Sequence, residues 1–161
     1  MNNSTLAAQI TDPSWVLDPI TAISGVRRAL IIASDGIVVG TSTGSANRAE
    51  GDERAKTDRI SAAVASLHGG GRVGAVDACG AHEKTPVATV TVQLGADPTS
   101  QDSTSAGTLM VMPVGGETNA YLAVGFGPAT PMGIIAQTMA TQAKKLGEKV
   151  MSVSSRNDPA S

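Results

Sequence analysis

Residues 40–44 are the first segment with side chains suited to catalysis. They read Gly-Thr-Ser-Thr-Gly, which matches the G-x-S-x-G turn that presents a nucleophilic serine in α/β hydrolases. That turn joins a strand to a helix, and an acid and a histidine base must follow it. The residues after Ser42 predict a polar loop instead, and only His68 and His82 could act as the base. We therefore interpret Ser42 as a loop serine and expect no catalytic residue.

Residues 68–74, His-Gly-Gly-Gly-Arg-Val-Gly, are the second such segment, because glycine-rich loops bind phosphates. A Walker loop needs Gly-Lys followed by Ser or Thr at the start of a helix. Here the glycines follow a predicted helix, so they are interpreted as its end. The sequence therefore predicts that the protein is not itself a GTPase.

His68, Cys79 and His82 are the remaining candidates for metal ligands. They are separated by eleven and three residues, and no fourth ligand lies nearby, which fits no common zinc pattern. We expect neither a metal nor a cofactor. Cys79 is interpreted as a small, buried apolar residue.

Composition narrows the class of protein further. The formal net charge is −2, there is no basic cluster, and the chain holds one Trp, one Tyr and one Phe, so nucleic-acid binding is disfavoured. The N-terminal residues lack the features of a signal peptide, and no apolar run approaches the ~20 residues of a membrane span. We expect a cytoplasmic protein that is not inserted in a membrane, and the single cysteine fits a reducing compartment.

The first half of the chain predicts helix, hairpin and helix. A helix over 15–23 would be capped by Ser14 and kinked at Pro19. Strands over 28–34 and 37–39 would be joined by Asp35-Gly36, a strong hairpin signal, and a polar loop over 41–51 would follow. Asp52 would cap a helix that ends near the glycine run.

The second half predicts three strands and a final helix. The strands are expected over 86–94, 108–114 and 120–126, with Gly115-Gly116 as the turn between the last two, and the helix over 132–150. Only the first of these three strands alternates apolar and polar residues, which is typical of a half-exposed edge strand. The others are apolar on both faces, so helices must cover both sides of the sheet.

These elements define the fold class. We expect an α/β (α+β) domain over 14–151, in which a five-stranded antiparallel sheet lies between three helices, with flexible tails at 1–13 and 152–161.

The element order and several local segments resemble the roadblock (dynein light-chain) family, and its actinobacterial members in particular. The segments are residues 15–18 (Trp-Val-Leu-Asp), 25–29 (Gly-Val-Arg-Arg-Ala), 34–36 (Ser-Asp-Gly), 109–115 (Leu-Met-Val-Met-Pro-Val-Gly) and 133–139 (Gly-Ile-Ile-Ala-Gln-Thr-Met) with Leu146-Gly147 behind them. The resemblance implies a homodimer that binds a small Ras-like GTPase as scaffold or activator, in a neighbourhood of sensor-kinase-like proteins.

The helix after Asp52 is the expected interaction element, because its small residues would let another helix approach closely. The predicted dimer interface combines apolar residues of this helix with those of the edge strand: Ile60, Ala63, Val64, Leu67, Val90 and Val92. The predicted contacts to the partner are the basic residues Arg54, Lys56 and Arg59. Alternatively, the apolar residues only cover the sheet and the charges are solvated. A ligand-sensing α/β module is the second functional hypothesis, although the sequence indicates no pocket for it.

Overall fold

The computed structural model describes residues 6, 10–45, 52–99, 106–114 and 120–157. Within them the chain forms helix α1 (Ser14–Thr21), strands β1 (Val26–Ala33) and β2 (Val38–Thr43), helix α2 (Glu53–Cys79), strands β3 (Val90–Leu94), β4 (Gly107–Val114) and β5 (Ala120–Phe126), and helix α3 (Met132–Asn157). The predicted element order is confirmed. No helix in the described ranges is long and apolar enough to span a membrane.

The five strands form one antiparallel sheet in the order β2-β1-β5-β4-β3, as the sequence predicted. β3 pairs with β4 only, so its predicted position at an edge is confirmed, although it begins at Val90 rather than at residue 86. β4 and β5 are antiparallel neighbours, and Val114 at the end of β4 is paired with Ala120 at the start of β5. The Gly115-Gly116 turn predicted between them lies outside the described residues.

Asp35 and Gly36 form the predicted turn between β1 and β2. Gly36 has φ 86°, a left-handed conformation that suits glycine, and the Asp35 carboxylate accepts a hydrogen bond from the N–H of Ile37 at 3.1 Å. β2 continues to Thr43, four residues further than predicted. Ser42 therefore lies on a strand, and its interpretation as a loop serine is wrong.

The two faces of the sheet are covered unequally. α1 and α3 pack on one face, where nineteen of the described residues form a single buried apolar cluster that includes Leu17, Ile135 and Met139. α2 packs on the other face, where the buried cluster has five residues: Leu30, Ile32, Val64, Val111 and Ala123. The expected arrangement of a sheet between helices is confirmed, but most of the hydrophobic stabilisation lies on the α1/α3 side.

α1 starts differently from the prediction. Its N-cap is Pro13, and its first helical residue is Ser14, whose N–H donates to the Asp12 carboxylate at 2.9 Å, so the prediction that Ser14 caps the helix is wrong. The helix includes Pro19 and ends at Thr21. Leu6 and Ile10, which fall in the tail predicted over 1–13, are buried in the α1/α3 cluster.

α2 is much longer than predicted. It passes through the three glycines to Cys79 and is capped by Gly80, which has φ 63° and is followed by a hydrogen bond from the Ala81 N–H to the Val76 carbonyl at 3.0 Å. The predicted end at residues 68–71 is wrong. Glycine lowers helix propensity by about 1 kcal/mol relative to alanine but keeps its N–H, so it does not stop a helix unless it adopts a left-handed conformation.

α3 also exceeds its predicted end, since it reaches Asn157 instead of residue 150. Its buried side chains include Ile135, Met139 and Leu146. Trp15 of α1 is half-buried against this cluster, and the Lys149 ammonium lies 4.6 Å from its ring centroid.

The Asp52 cap of α2 gives a stability prediction. Its carboxylate accepts from the N–H groups of Arg54 at 3.0 Å and Ala55 at 3.3 Å. Asp52→Ala should lower the free energy of unfolding by about 1 kcal/mol, measured by urea denaturation. Asp52→Asn keeps the acceptor oxygen and should lose much less. Equal losses for the two variants would show that the cap contributes little.

Candidate protein-interaction surface

α2 is attached to the sheet along one narrow line. Val64 is 0% exposed and packs among the strands, and the Ser61 hydroxyl donates to the Gly36 carbonyl in the hairpin turn. These are the two buried side chains of the 27-residue helix. Most of its other side chains are half-buried or exposed.

An ion pair holds the first turn of α2. The Arg28 guanidinium, on β1 and 9% exposed, donates to the Glu53 carboxylate at 2.6 Å, and the Lys56 ammonium lies 3.6 Å from the other carboxylate oxygen. Among the described residues, the second terminal nitrogen of Arg28 has no hydrogen-bond acceptor. Removing both charges from water offsets much of their attraction. We therefore expect the pair to position the start of α2 and to add little to the free energy of folding.

His68 holds the middle of α2. Its Nδ1 lies 3.3 Å from the Tyr121 hydroxyl, and the two ring centroids are 4.9 Å apart. Burial, followed by the positive charge of Arg72, lowers the pKa of His68 from its ordinary value of 6.5. A neutral imidazole can accept the hydrogen bond from Tyr121 through an unprotonated Nδ1.

The predicted interface residues on α2 do not lie on one surface. Val64 is buried against the sheet, Ile60 and Leu67 are half-buried, and Ala63 is exposed. On β3, Val90 and Val92 are half-buried, and Val90 packs against the buried cluster on the α2 side of the sheet. The four predicted interface residues on α2 therefore divide into some that cover the sheet and one, Ala63, that faces away from it.

The outward face of α2 also includes residues that were not predicted from the sequence. Gly69, Gly70 and Val73 are exposed, and a Cβ added at either glycine would meet no atom within 4 Å. Residues 60–76 contain a single charged side chain, Arg72. A long stretch with almost no charge on an exposed helix is a sequence signal for such an interaction face. The signal was not recognised because the glycines were interpreted as the end of the helix.

The predicted partner contacts differ in their availability. Arg54 and Arg59 are exposed, whereas Lys56 is half-buried and lies against Glu53. A groove of about 940 Å³ runs beside Arg54 between the start of α2 and the hairpin, lined also by Ile37, Val38, Thr41 and Thr57. Ile37, one of these lining residues, is 55% exposed. The first turns of α2 thus offer a mixed polar and apolar surface.

The structure does not assemble the catalytic or metal-binding candidates. The Ser42 hydroxyl lies 3.1 Å from the Thr21 hydroxyl, which is no base, while His68 contacts Tyr121. Within the described ranges no three His, Cys, Asp or Glu side chains are close enough to share a metal ion. Cys79 is exposed at the end of α2, so the prediction that it is buried is wrong. The helix is longer than predicted and ends at Cys79, outside the core.

Solved structures share this architecture. A Roadblock/LC7 domain from Streptomyces avermitilis superimposes with a TM-score of 0.66 at 20% identity, over 88% of this chain and 99% of that one. The gliding protein MglB from Thermus thermophilus gives 0.66 at 17% identity, over 90% and 93%. An MglB structure with a tetrameric arrangement gives 0.61 at 16% identity, over 90% and 92%. The chain has the roadblock fold.

This likeness is one of structure. No protein-family model matches the chain, and no curated protein matches it. At identities of 20% or below, the shared roadblock fold alone is established, so the function of this roadblock domain has to be argued from its own surfaces.

The contact between His68 and Tyr121 predicts a pH dependence. Because the pKa of His68 is lower in the folded protein, the unfolded chain binds more protons as the pH falls through 6.5, so stability should decrease there. The free energy of unfolding, measured from pH 7.5 to 5.0, should fall more steeply for the original protein than for His68→Gln. If the free energy of unfolding fell equally in both proteins, His68 would not be the group responsible, since His82, the other histidine, is present in both.

Proposed function

We propose that the protein is a non-catalytic, homodimeric regulator or scaffold that binds a small Ras-like GTPase in a bacterial signalling system. The observation that carries the proposal is the outward face of α2, which is exposed, small and almost uncharged on a domain with the roadblock fold. Small exposed residues on a long helix are suited to close contact with another protein surface and supply no catalytic group.

Two adjacent surfaces support self-association. The outward face of α2 is exposed, and β3 leaves one edge without a strand partner in the described part of the chain. α2 and β3 are neighbours, because a Cβ at Gly71 of α2 would lie 3.9 Å from the Val90 side chain of β3. A stable interface buries roughly 800 Å² per partner, which a 27-residue helix and an edge strand together can supply.

Ala63→Glu tests the dimer. Because Ala63 is exposed in one protomer, a glutamate there should leave the fold intact but place an unpaired carboxylate between two helices. Light scattering should show a dimer for the original protein and a monomer for Ala63→Glu at micromolar concentration. Ala65→Glu, the same change at an exposed position on another side of the helix, is the control and should remain dimeric. A monomeric original protein at high concentration would refute the proposal.

Two exposed arginines support the GTPase as partner. Arg54 lines the groove together with Ile37 and Thr57, and Arg59 is exposed further along α2. Charges at the rim of an interface mainly accelerate association and orient the partner, while apolar groups in the groove exclude water. We assign Arg54 as the main contact and Lys56, which Glu53 partly neutralises, as a secondary one.

Arg54→Glu tests this assignment. The reversed charge should slow association with a co-purified small GTPase about tenfold at low salt and have less effect at high salt, measured by surface plasmon resonance. Lys84→Glu makes the same charge change at an exposed position after α2 and should bind like the original protein. If both variants associate equally fast at low salt, the partner surface lies elsewhere.

The groove also bears on the ligand-sensing alternative. It contains polar groups, among them Thr41, Thr43 and the Glu53 carboxylate. Small-molecule sites normally bury most of the ligand in a concave pocket, whereas this groove is open to solvent along the hairpin. The geometry therefore favours a protein surface as its occupant. A metabolite that raised the melting temperature, with no such rise in Thr57→Trp, would favour the alternative instead.

A further inference from the structure

The outer edge of β2 is free in the described part of the chain. β2 is the first strand in the sheet order and pairs only with β1. Free strand edges in natural proteins are normally protected by charged residues or proline, and the sequence of β2, Val-Val-Gly-Thr-Ser-Thr, contains neither. A bulge at Val39 interrupts the pairing with β1 near the hairpin, and the ladder is regular from Gly40 to Thr43. The regular part of this edge is open to another strand.

The unpaired backbone groups of this edge belong to Thr41 and Thr43. The Gly44 N–H donates to the Arg27 carbonyl at 3.0 Å, and the register continues without a shift as far as Gly40. Hydrogen-bonded residues alternate along an antiparallel ladder, so the even-numbered residues of this part face β1, and the two threonines direct their N–H and carbonyl groups outward. Both threonines are exposed. Each can exchange two hydrogen bonds with a residue of an added strand.

The groove beside α2 runs along this edge. Side chains alternate between the two faces of a strand, and the Ser42 hydroxyl lies 3.1 Å from that of Thr21 in α1, on the face opposite to α2. The groove is nevertheless lined by Ser42 as well as by Thr41 and Thr43. A groove that contacts three consecutive residues of a strand passes along their backbone. Because Thr57 of α2 also lines it, an added strand would lie between β2 and α2.

α2 runs antiparallel to β2 along this groove. Arg28, whose guanidinium contacts Glu53 in the first turn of α2, is opposite Thr43 in the register of the sheet. Further along the helix, the Ser61 hydroxyl donates to the Gly36 carbonyl, just before β2 begins. The start of the helix therefore lies beside the end of the strand.

Two opposite charges on α2 line the groove at the spacing of alternate strand residues. Arg54 and Asp58 are both exposed and form no ion pair with each other in the described part of the chain. Four residues of an α-helix rise by about 6 Å, and two residues of a strand by about 6.8 Å. A strand antiparallel to β2 would place an acidic residue beside Arg54 and, two residues later, a basic residue beside Asp58. The next residue on that side would lie toward Ile37, which is apolar and 55% exposed.

We propose that the groove binds an extended segment of a partner protein, which adds to the sheet as a sixth strand antiparallel to β2. The segment has an acidic residue opposite Thr43, a basic residue opposite Thr41 and an apolar residue beyond it. Backbone hydrogen bonds to the two threonines supply affinity, and the pairs with Arg54 and Asp58 fix the direction and register. The inference rests on the proposed use of this groove by a partner protein, and it specifies the form of the segment that binds.

A synthetic peptide tests the order of the charges. Acetyl-Thr-Glu-Thr-Lys-Thr-Val-amide should bind the full chain with a dissociation constant of about 1 mM or tighter, measured by an NMR titration of the isotope-labelled protein. The largest shifts should be those of the Thr41 and Thr43 amides. The peptide of reversed sequence, acetyl-Val-Thr-Lys-Thr-Glu-Thr-amide, should bind at least about tenfold more weakly, because in the same direction its charges meet like charges. Equal affinity of the two peptides, or no binding of either, would overturn the inference.

N-methylation of the peptide distinguishes strand addition from contact through side chains alone. In the proposed register the lysine N–H points toward β2, whereas the N–H of the preceding threonine points away from it. Methylation of the lysine nitrogen should abolish binding, while methylation of the threonine nitrogen should leave the dissociation constant within about threefold. Equal effects of the two methyl groups would contradict strand addition.

Thr41→Pro makes the corresponding change in the protein. Proline lacks the outward N–H, and it is tolerated on an edge strand where the ladder does not use that N–H. Thr41→Pro should fold, as circular dichroism can show, and bind the peptide at least about tenfold more weakly, while Thr41→Val keeps the N–H and should bind like the original protein. Undiminished binding by folded Thr41→Pro would overturn the inference. If this variant does not fold, the methylated peptides provide the same test on the unchanged chain.

Asp58→Arg tests the second charge pair. The reversed charge should weaken binding of the peptide about tenfold, and a peptide with glutamate in place of its lysine should recover the lost affinity on this variant. Lys84→Glu reverses an exposed charge after α2 and should bind the original peptide unchanged. Failure of the exchanged peptide to recover affinity would contradict the proposed register.

These outcomes separate the inference from the proposed function. A peptide that binds as expected to a protein that captures no GTPase defeats the proposed partner and leaves strand addition in place. GTPase capture that depends on Arg54 but is unchanged in Thr41→Pro defeats strand addition alone. A dimer, measured by light scattering, that is lost in Thr41→Pro and kept in Thr41→Val would show that a second copy occupies this edge, and would also overturn the inference.

Discussion

The structure depends on the way a long helix is held by a short line of contacts. α2 has 27 residues, but only Ser61 and Val64 are buried, and the Arg28–Glu53 ion pair and the His68–Tyr121 contact add two further attachments. A helix with three consecutive glycines has little stability of its own, and most helical stability in proteins comes from packing of an apolar face. An isolated protomer supplies that packing on one side only.

The two faces of the sheet bury different amounts of apolar surface, and this difference decides which surface remains available to a partner. The nineteen-residue cluster beneath α1 and α3 is large enough to define the fold, while the five-residue cluster beneath α2 leaves part of the helix and the β3 edge available. Unpaired strand edges and exposed, nearly uncharged helix faces are associated with interaction or aggregation in soluble proteins. A second copy that covers both would stabilise the weaker side and create a continuous surface for a further partner.

The sequence predicted the fold where local signals and tertiary demands agreed. Asp35-Gly36 specified the hairpin because only a residue such as glycine suits the turn at φ 86°, and the alternation at Val90 and Val92 identified the edge strand. It failed at Gly69–71 because composition alone does not distinguish a helical glycine from a left-handed one. The end of α2 is set by the conformation of Gly80, and this error also ended the predicted interface on the helix at residue 67. Cys79 was expected in the core because cysteine behaves as a small apolar residue, yet it is exposed at the end of the helix.

Cys79 allows a direct measurement of the proposed self-association. It is exposed at the end of α2 and is the single cysteine of the chain, so a spin label attached there needs no substitution. α2 has 27 residues and is about 40 Å long at a rise of 1.5 Å per residue, so two copies paired through this helix keep both labels within the range of double electron–electron resonance. The account predicts dipolar coupling at concentrations well above micromolar that is lost in Ala63→Glu, and the absence of coupling in the original protein would contradict it.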